Sequence, residues 1–149
     1  MENEDLIINR TSIQDSFENG QNIDGIVIRT FPNDESKRFK TYLHSHETPY
    51  FTNEAKTIFE QLKINHLIVD FPTIDRIDDG GNLSNHHTFW QIPIGTYNVN
   101  KSAIHKTITE MAYIPNEILD GLYMMNLQVA PFVSDASPSR PILFKVIDD

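Results

Sequence analysis

The chain has 149 residues, of which 39% are hydrophobic and 22% are charged, and its formal net charge at pH 7 is -9. These values indicate one soluble globular domain that is large enough to bury a core. The acidic balance argues against a nucleic-acid partner, which needs clustered Lys and Arg. The absence of cysteine excludes disulfides, thiolate zinc sites and a cysteine nucleophile.

Membrane and secretory signals are also absent from the sequence. No apolar run approaches the roughly 20 residues of a membrane span. The first five residues, Met1–Asp5, are acidic, whereas a signal peptide is basic and then apolar. We therefore expect a cytoplasmic protein with no membrane partner.

The first predicted elements are a short helix and a buried strand. Thr11–Gln14 fits a capping box, and Gly20 is a natural stop for the helix that follows it. Gly25–Thr30 is a compact apolar run, which is typical of a buried strand. The polar segment Phe31–Tyr50 contains prolines and an asparagine and is predicted to be a long loop.

A second helix and a second strand follow. Thr52 is a suitable N-cap for a helix over Asn53–Leu62, and Leu67–Phe71 has the composition of another buried strand. Strand, helix and strand in this order predict a crossover unit. The apolar residues of the helix fall on one face, and they are Ala55, Ile58, Phe59 and Leu62.

The second half of the chain is rich in β-forming residues. Thr107–Tyr113, Gly121–Ala130 and Pro141–Ile147 are predicted to contain strands. Gln91–Lys106, with its proline, glycine and asparagines, is interpreted as an insertion loop. We expect a mixed α/β fold and a single domain over residues 1–149.

The most informative polar residues follow the second predicted strand. Asp70–Asp75 begins and ends with a carboxylate, and Asn82–His87 ends in a histidine pair; a Gly80–Gly81 turn lies between them. Imidazole and carboxylate are ligands that zinc or manganese accepts without thiolate. The spacing alone is weak evidence, because such residues also occur on ordinary loops.

The order of the motifs resembles the cyclase family of metal-dependent hydrolases, whose best-known activity is kynurenine formamidase (arylformamidase). A strand followed by Asp-x-Pro-Thr-x-Asp at Asp70–Asp75 and by Leu-x-x-His at Leu83–His86 is similar to the second half of that family. Further similar segments occur in the family's order, and they are Ile26–Thr30, Pro49–Thr52, Ile108–Glu110, Gly121–Tyr123 and Asp135–Arg140.

The resemblance implies a swivelling β/β/α-like fold and a divalent metal, zinc or manganese, held by His86 and Glu110. Their coordinating atoms should then lie within about 4 Å of each other, or roughly 6 Å without the ion. It implies hydrolysis of a small-molecule amide, either N-formylkynurenine, giving kynurenine and formate in tryptophan catabolism, or a related amide or lactone, and it is compatible with a homo-oligomer. Residues that support the ligands or line the pocket would be Asp70, Thr73, Asp75 and His87.

The chain departs from the family in one serious respect. The motif His-x-Gly-Thr-His-x-Asp, which supplies the family's other ligands, is absent, and no histidine precedes His44. We therefore expect a chain that lacks the family's N-terminal part, either as a fragment or split-gene product or as a shortened homologue without the chemistry. With two ligands, metal binding should be weak and turnover nearly absent. A non-catalytic cyclase-like domain and an unrelated α/β domain stay open.

The residues themselves leave alternatives at each position. Asp70 and Asp75 lie beside a proline turn, where an aspartate commonly accepts backbone N–H groups. His87 is expected to be the exposed neighbour of His86. Glu110 lies on an apolar run, where a carboxylate is costly unless it is paired or coordinated. The resemblance assigns no role to the pair His44 and His46, which we expect in a loop.

Overall fold

The computed structural model describes residues 5–16, 22–96, 98, 101 and 103–147. The chain divides into two compact units, Met1–Tyr113 and Ile114–Asp149. Helices and parallel strands make up the first unit, whereas the second contains an antiparallel pair of strands. The mixed α/β class is thus confirmed, while the single domain over residues 1–149 stays a prediction.

The first unit contains β1 (Ile7–Ile8), α1 (Arg10–Gln14), β2 (Gly25–Ile28), β3 (Tyr50–Phe51), α2 (Asn53–Gln61), β4 (His66–Val69), α3 (Ser84–Phe89) and β5 (Thr107–Thr109). The second unit contains β6 (Tyr123–Asn126) and β7 (Ile142–Lys145). None of the helices within the described ranges is long and apolar enough to cross a membrane.

A three-stranded parallel sheet organises the first unit. Its strand order is β2-β4-β5, and Ile26 and Ile108 both pair with Leu67 in the middle strand. The predicted crossover is therefore confirmed: the chain leaves β2, passes through α2 and returns as a parallel neighbour. Because the strands are parallel, their carboxyl ends lie at one edge of the sheet, and Asp70 and Glu110 directly follow two of them.

The core lies between this sheet and α2. Leu67 in β4 and Ala55 in α2 are both 0% exposed. The apolar face predicted for α2 is the buried one, and the side chain of Thr52 accepts the N–H of Ala55, as expected of an N-cap. The Phe59 ring meets the Phe51 ring edge-on, with 5.1 Å between their centroids. Full burial of a side chain of this size contributes about 1.5–3 kcal/mol.

Several predicted boundaries differ from the structure. The capping box of α1 pairs Asn9 with Ser12 rather than Thr11 with Gln14; the predicted stop at Gly20 lies outside the described residues. The strand predicted for residues 25–30 ends at Ile28. An edge strand ends where its hydrogen bonds to the neighbouring strand end, and the amino-acid composition does not mark that point.

One of the two predicted loops differs in detail from the structure. The segment predicted as loop over residues 31–50 contains the 3-10 helices Glu35–Phe39 and Ser45–Glu47 and the first residue of β3. The described part of residues 91–106 forms turns and coil, and its interpretation as an insertion loop stays a prediction.

The core assignment yields a test with two matched Leu→Ala variants. Leu67→Ala should lower the free energy of unfolding by about 2–5 kcal/mol, because it leaves a cavity at the centre of the sheet. Leu43→Ala removes the same atoms from a side chain that is 72% exposed and should change it by less than about 0.5 kcal/mol. Urea denaturation followed by Trp90 fluorescence measures both. Similar losses in the two variants would contradict the assigned core.

Candidate functional site

The candidate site begins with a turn that delivers α3 to the edge of the sheet. The Asp79 carboxylate accepts the backbone N–H groups of Gly81 and Leu83, at 2.8 and 2.6 Å. Gly80 and Gly81 have φ values of 70° and 80°, a region that glycine enters without strain. This turn reverses the chain after β4, so that the histidine pair comes back towards the strand ends.

The Asp75 carboxylate holds the start of α3. It is 2% exposed. One oxygen accepts the N–H of Asn85 at 2.5 Å, and the other lies 2.6 Å from Nδ1 of His86. Burial alone would raise the pKa of Asp75, but the hydrogen bonds from His86 and Asn85 outweigh it and hold that pKa below the usual value of an aspartate. Asp75 therefore stabilises the fold at neutral pH, and this contribution is lost as the pH falls through its folded-state pKa.

Glu110 approaches the same imidazole from the other side. It directly follows β5, where the next residue, Met111, donates its N–H to the carbonyl of Phe71 at 3.1 Å. Oε1 of Glu110 accepts the N–H of Ile74 at 2.9 Å and lies 3.4 Å from Nε2 of His86. Burial raises the pKa of Glu110, and the bond from Ile74 and the nearby His86 oppose that shift only in part. The His86 ring thus lies between two carboxylates.

This geometry fits two ligands of a divalent metal and the group that orients one of them. An ionised Asp75 can only accept, so Nδ1 of His86 donates the hydrogen bond between them, and Nε2 is the ring atom that faces Glu110. Two ligand atoms of a tetrahedral zinc ion lie about 3.3–3.6 Å apart, and the observed distance is 3.4 Å. A carboxylate on the second ring nitrogen is the usual partner of a metal-binding histidine.

The site stops at two ligands. Across the described ranges, no group of three or more His, Asp or Glu side chains has the arrangement of a metal site. Asp75 binds the far side of the His86 ring, so it orients the ring and adds no ligand. The side chains of His86 and Glu110 are 17% and 26% exposed, so solvent reaches part of each.

The supporting residues predicted with the two ligands do not all lie together. Asp70 accepts the N–H of Thr30 at 2.9 Å and the ammonium of Lys37 at 2.7 Å, and it has no hydrogen bond to His86 or Glu110. Asp70 therefore connects the segment after β2 to the end of β4 through these hydrogen bonds. The hydroxyl of Thr73 accepts the N–H of Asp75 at 3.2 Å and so shapes the turn that places that carboxylate.

The expectation for His87 was wrong. Its side chain is only 7% exposed, because α3 turns it into the unit while His86 faces the strand ends. Nδ1 of His87 has no hydrogen-bond partner among the described residues. His44 and His46 stack on each other, with 5.4 Å between their ring centroids.

Sequence reasoning missed the helix itself, its residue Asn85, and Trp90, which caps it. Asn85 is 4% exposed and donates to the carbonyls of Phe51 and Ile74, at 2.9 and 2.6 Å. The Trp90 ring lies beside His86, with 5.5 Å between their centroids. The spacing of four residues from His86 to Trp90 was the available signal, since residues i and i+4 share a helix face.

Comparison with known proteins finds similar solved structures but no match to a family model or a curated protein. No family model matches the sequence, and no curated protein matches it. A solved structure of a potential metal-dependent hydrolase with cyclase activity matches with a TM-score of 0.58 and 18% identity, over 94% of this chain and 59% of that one. A "predicted metal-dependent hydrolase" from Bacillus stearothermophilus matches with the same score and identity, over 92% of this chain and 56% of that one.

These similarities show the fold. The chain has the mixed α/β fold of cyclase-like metal-dependent hydrolases over most of its length, and it spans less than two thirds of the length of the proteins it matches. At 18% identity the likeness shows the fold alone, and the chemistry of the site depends on the residues present.

The role of Asp75 can be tested with two aspartate variants. Asp75→Ala leaves two buried donors on α3 without an acceptor, so we expect a loss of about 2–5 kcal/mol in the free energy of unfolding. Asp78→Ala, three residues later and exposed, should change it by less than about 0.5 kcal/mol. Urea denaturation at pH 7 followed by Trp90 fluorescence distinguishes the two. Equal stability of both variants would show that Asp75 does not anchor the helix.

Proposed function

We propose that this protein is a metal-dependent hydrolase of cyclase type, in which His86 and Glu110 hold a divalent cation. One observation carries the proposal: Nε2 of His86 and Oε1 of Glu110 converge to 3.4 Å, although 24 positions separate the two residues in the chain. The fold similarity to metal-dependent hydrolases adds independent support. Imidazole and carboxylate suit both zinc and manganese.

The chain's own residues have distinct tasks in this proposal. Asp75 fixes the tautomer of His86, so that Nε2 presents a lone pair. Glu110 contributes a carboxylate that is held in place by the N–H of Ile74. A cation held there would polarise a substrate carbonyl and lower the pKa of a bound water. Since burial penalises the charge of Glu110, a cation at this point would also offset that cost.

The proposed substrate is an aromatic amide of the N-formylkynurenine class. The support is Trp90, whose ring forms an aromatic wall beside His86 and offers a surface for stacking. Trp90 is held in position, because its Nε1 donates to the carbonyl of Lys106 at 3.0 Å. Kynurenine and formate would be the products.

A second candidate function is a non-catalytic cyclase-like domain. It is favoured by the count of ligands: the described residues supply two, whereas catalytic zinc sites use three and an open position. Such a domain would keep the fold and the His86–Glu110 pair for small-molecule binding or oligomerisation. Metal binding and turnover, measured on the same preparations, separate the two functions.

The metal site is tested by calorimetric titration of chelator-treated, tag-free protein with zinc and with manganese. We expect weak binding to the wild type, because two ligands are fewer than a tight site uses. His86→Ala and Glu110→Gln should each abolish it, since each removes one of the two. His44→Ala, which removes an exposed imidazole outside the site, is the matched control and should bind as the wild type does.

Release of kynurenine from N-formylkynurenine is measured with the same proteins. Turnover that requires the metal and disappears in both site variants supports the hydrolase. Metal binding that depends on His86 and Glu110 without turnover supports the non-catalytic domain. Binding that is unchanged in His86→Ala contradicts both functions, because the ion would then be held elsewhere.

A further inference from the structure

One face of the strand pair in the second unit is apolar and exposed. Met124 in β6 lies opposite Phe144 in β7, and Asn126 lies opposite Ile142. Because successive residues of a strand point to opposite faces of a sheet, these four side chains share one face, and all four are exposed. The residues that alternate with them on β6 are half-buried. The two faces of the pair therefore differ in exposure.

The exposed face continues beyond the two strands. Leu122 directly precedes β6 and Val146 directly follows β7, and the same alternation places both on this face. The face has five large apolar side chains that are 39–69% exposed, and they are Leu122, Met124, Ile142, Phe144 and Val146. Together they expose roughly 400–600 Å², if one fully exposed large side chain has about 150–250 Å². An apolar patch of this size is often functional.

The second unit has little core of its own to stabilise this strand pair. Among residues 114–147, all of which the structure describes, Ile114 is the only buried apolar side chain. Two strands alone are at most marginally stable in water, and they become stable when their hydrophobic face packs against further protein. We therefore expect the apolar face of β6–β7 to pack against another protein surface.

This face suits contact with a second copy of the same chain. In a two-fold symmetric dimer a surface meets itself, so each group must tolerate its own copy. The face of Leu122, Met124, Asn126, Ile142, Phe144 and Val146 carries no charge, since the charged residue of the pair, Lys145, lies opposite Tyr123 on the other face. Two chains with a net charge of -9 can therefore meet here without placing like charges against each other.

The area of the face is also close to what a dimer needs. Two copies that cover the five apolar side chains bury about 800–1,200 Å² in total, and the surface around them adds to this area. Specific interfaces bury about 1,200–2,000 Å² in total.

We propose that the apolar face of β6–β7 packs against the same face of a second copy and forms a two-fold symmetric dimer. The two strand pairs then make a small sandwich, in which sheets lie about 10 Å apart. Burial of apolar surface drives this association. The dimer requires neither the metal nor hydrolysis, so it is independent of the proposed function.

The test is sedimentation velocity of the full, tag-free chain in EDTA over a range of concentrations. We expect a reversible dimer that dissociates at about micromolar concentration or below. Added salt should strengthen it, because salt screens the repulsion between two acidic chains. Phe144→Lys should weaken dimerisation about 30-fold or more. Phe39→Lys makes the same substitution at a side chain that is 80% exposed in the first unit and should leave dimerisation unchanged.

A mixing experiment separates loss of the interface from loss of folding. Phe144→Lys and Phe144→Glu should each be mainly monomeric, but their mixture should form a heterodimer, because opposite charges then meet across the two-fold axis. Native mass spectrometry detects it. Added salt should weaken this heterodimer, whereas it strengthens the wild-type dimer. A misfolded variant would not regain association with its oppositely charged counterpart.

Several results would overturn the proposal. A wild type that stays monomeric up to about 100 µM, well above the expected range, would show that the face is covered within one chain. A dimer that persists unchanged in Phe144→Lys would place the interface elsewhere, and equal weakening by Phe39→Lys would show that any added charge has the same effect. Absence of a heterodimer in the mixture would contradict the face-to-face arrangement.

Discussion

The candidate site depends on one buried carboxylate. Asp75 accepts the first backbone N–H groups of α3 and the ring of His86. A helix of six residues is too short to be stable through its own hydrogen bonds. Asn85 adds two bonds to the neighbouring backbone, so tertiary contacts hold the helix on two sides. The position of the imidazole is thus set by the turn after β4 rather than by the helix.

The electrostatics of the site follow from that placement. Asp75 is buried deeply, but its hydrogen bonds from His86 and Asn85 keep the charged form favourable and its pKa low. Glu110 receives fewer such bonds, so burial prevails and its pKa is raised. The two carboxylates beside the imidazole therefore differ in role. Asp75 fixes the orientation of the ring, whereas the negative charge of Glu110 is only partly compensated by its neighbours.

Helix α3 turns different residues towards different neighbours. His86 and Trp90, the residue that caps the helix, are four positions apart and lie on the side of the carboxylates. Asn85 and Thr88 are three positions apart, a spacing that places residues on a common face of a helix. The Asn85 side chain donates to the carbonyls of Phe51 and Ile74, and the hydroxyl of Thr88 accepts from the ammonium of Lys56 in α2 at 3.3 Å. The short helix thus connects the candidate site to α2.

The sequence by itself determined the elements that bury a continuous apolar face. The periodicity of α2 and the composition of β4 predicted both, because local propensity and burial agree there. The order of the motifs also led to the hypothesis that His86 and Glu110 hold one metal ion. It did not determine α3, whose short, histidine-rich segment is held by tertiary contacts with Asp75 and with the backbone of Phe51 and Ile74. Nor did it determine the burial of His87, since that depends on which face of α3 packs into the unit, and only tertiary packing decides that.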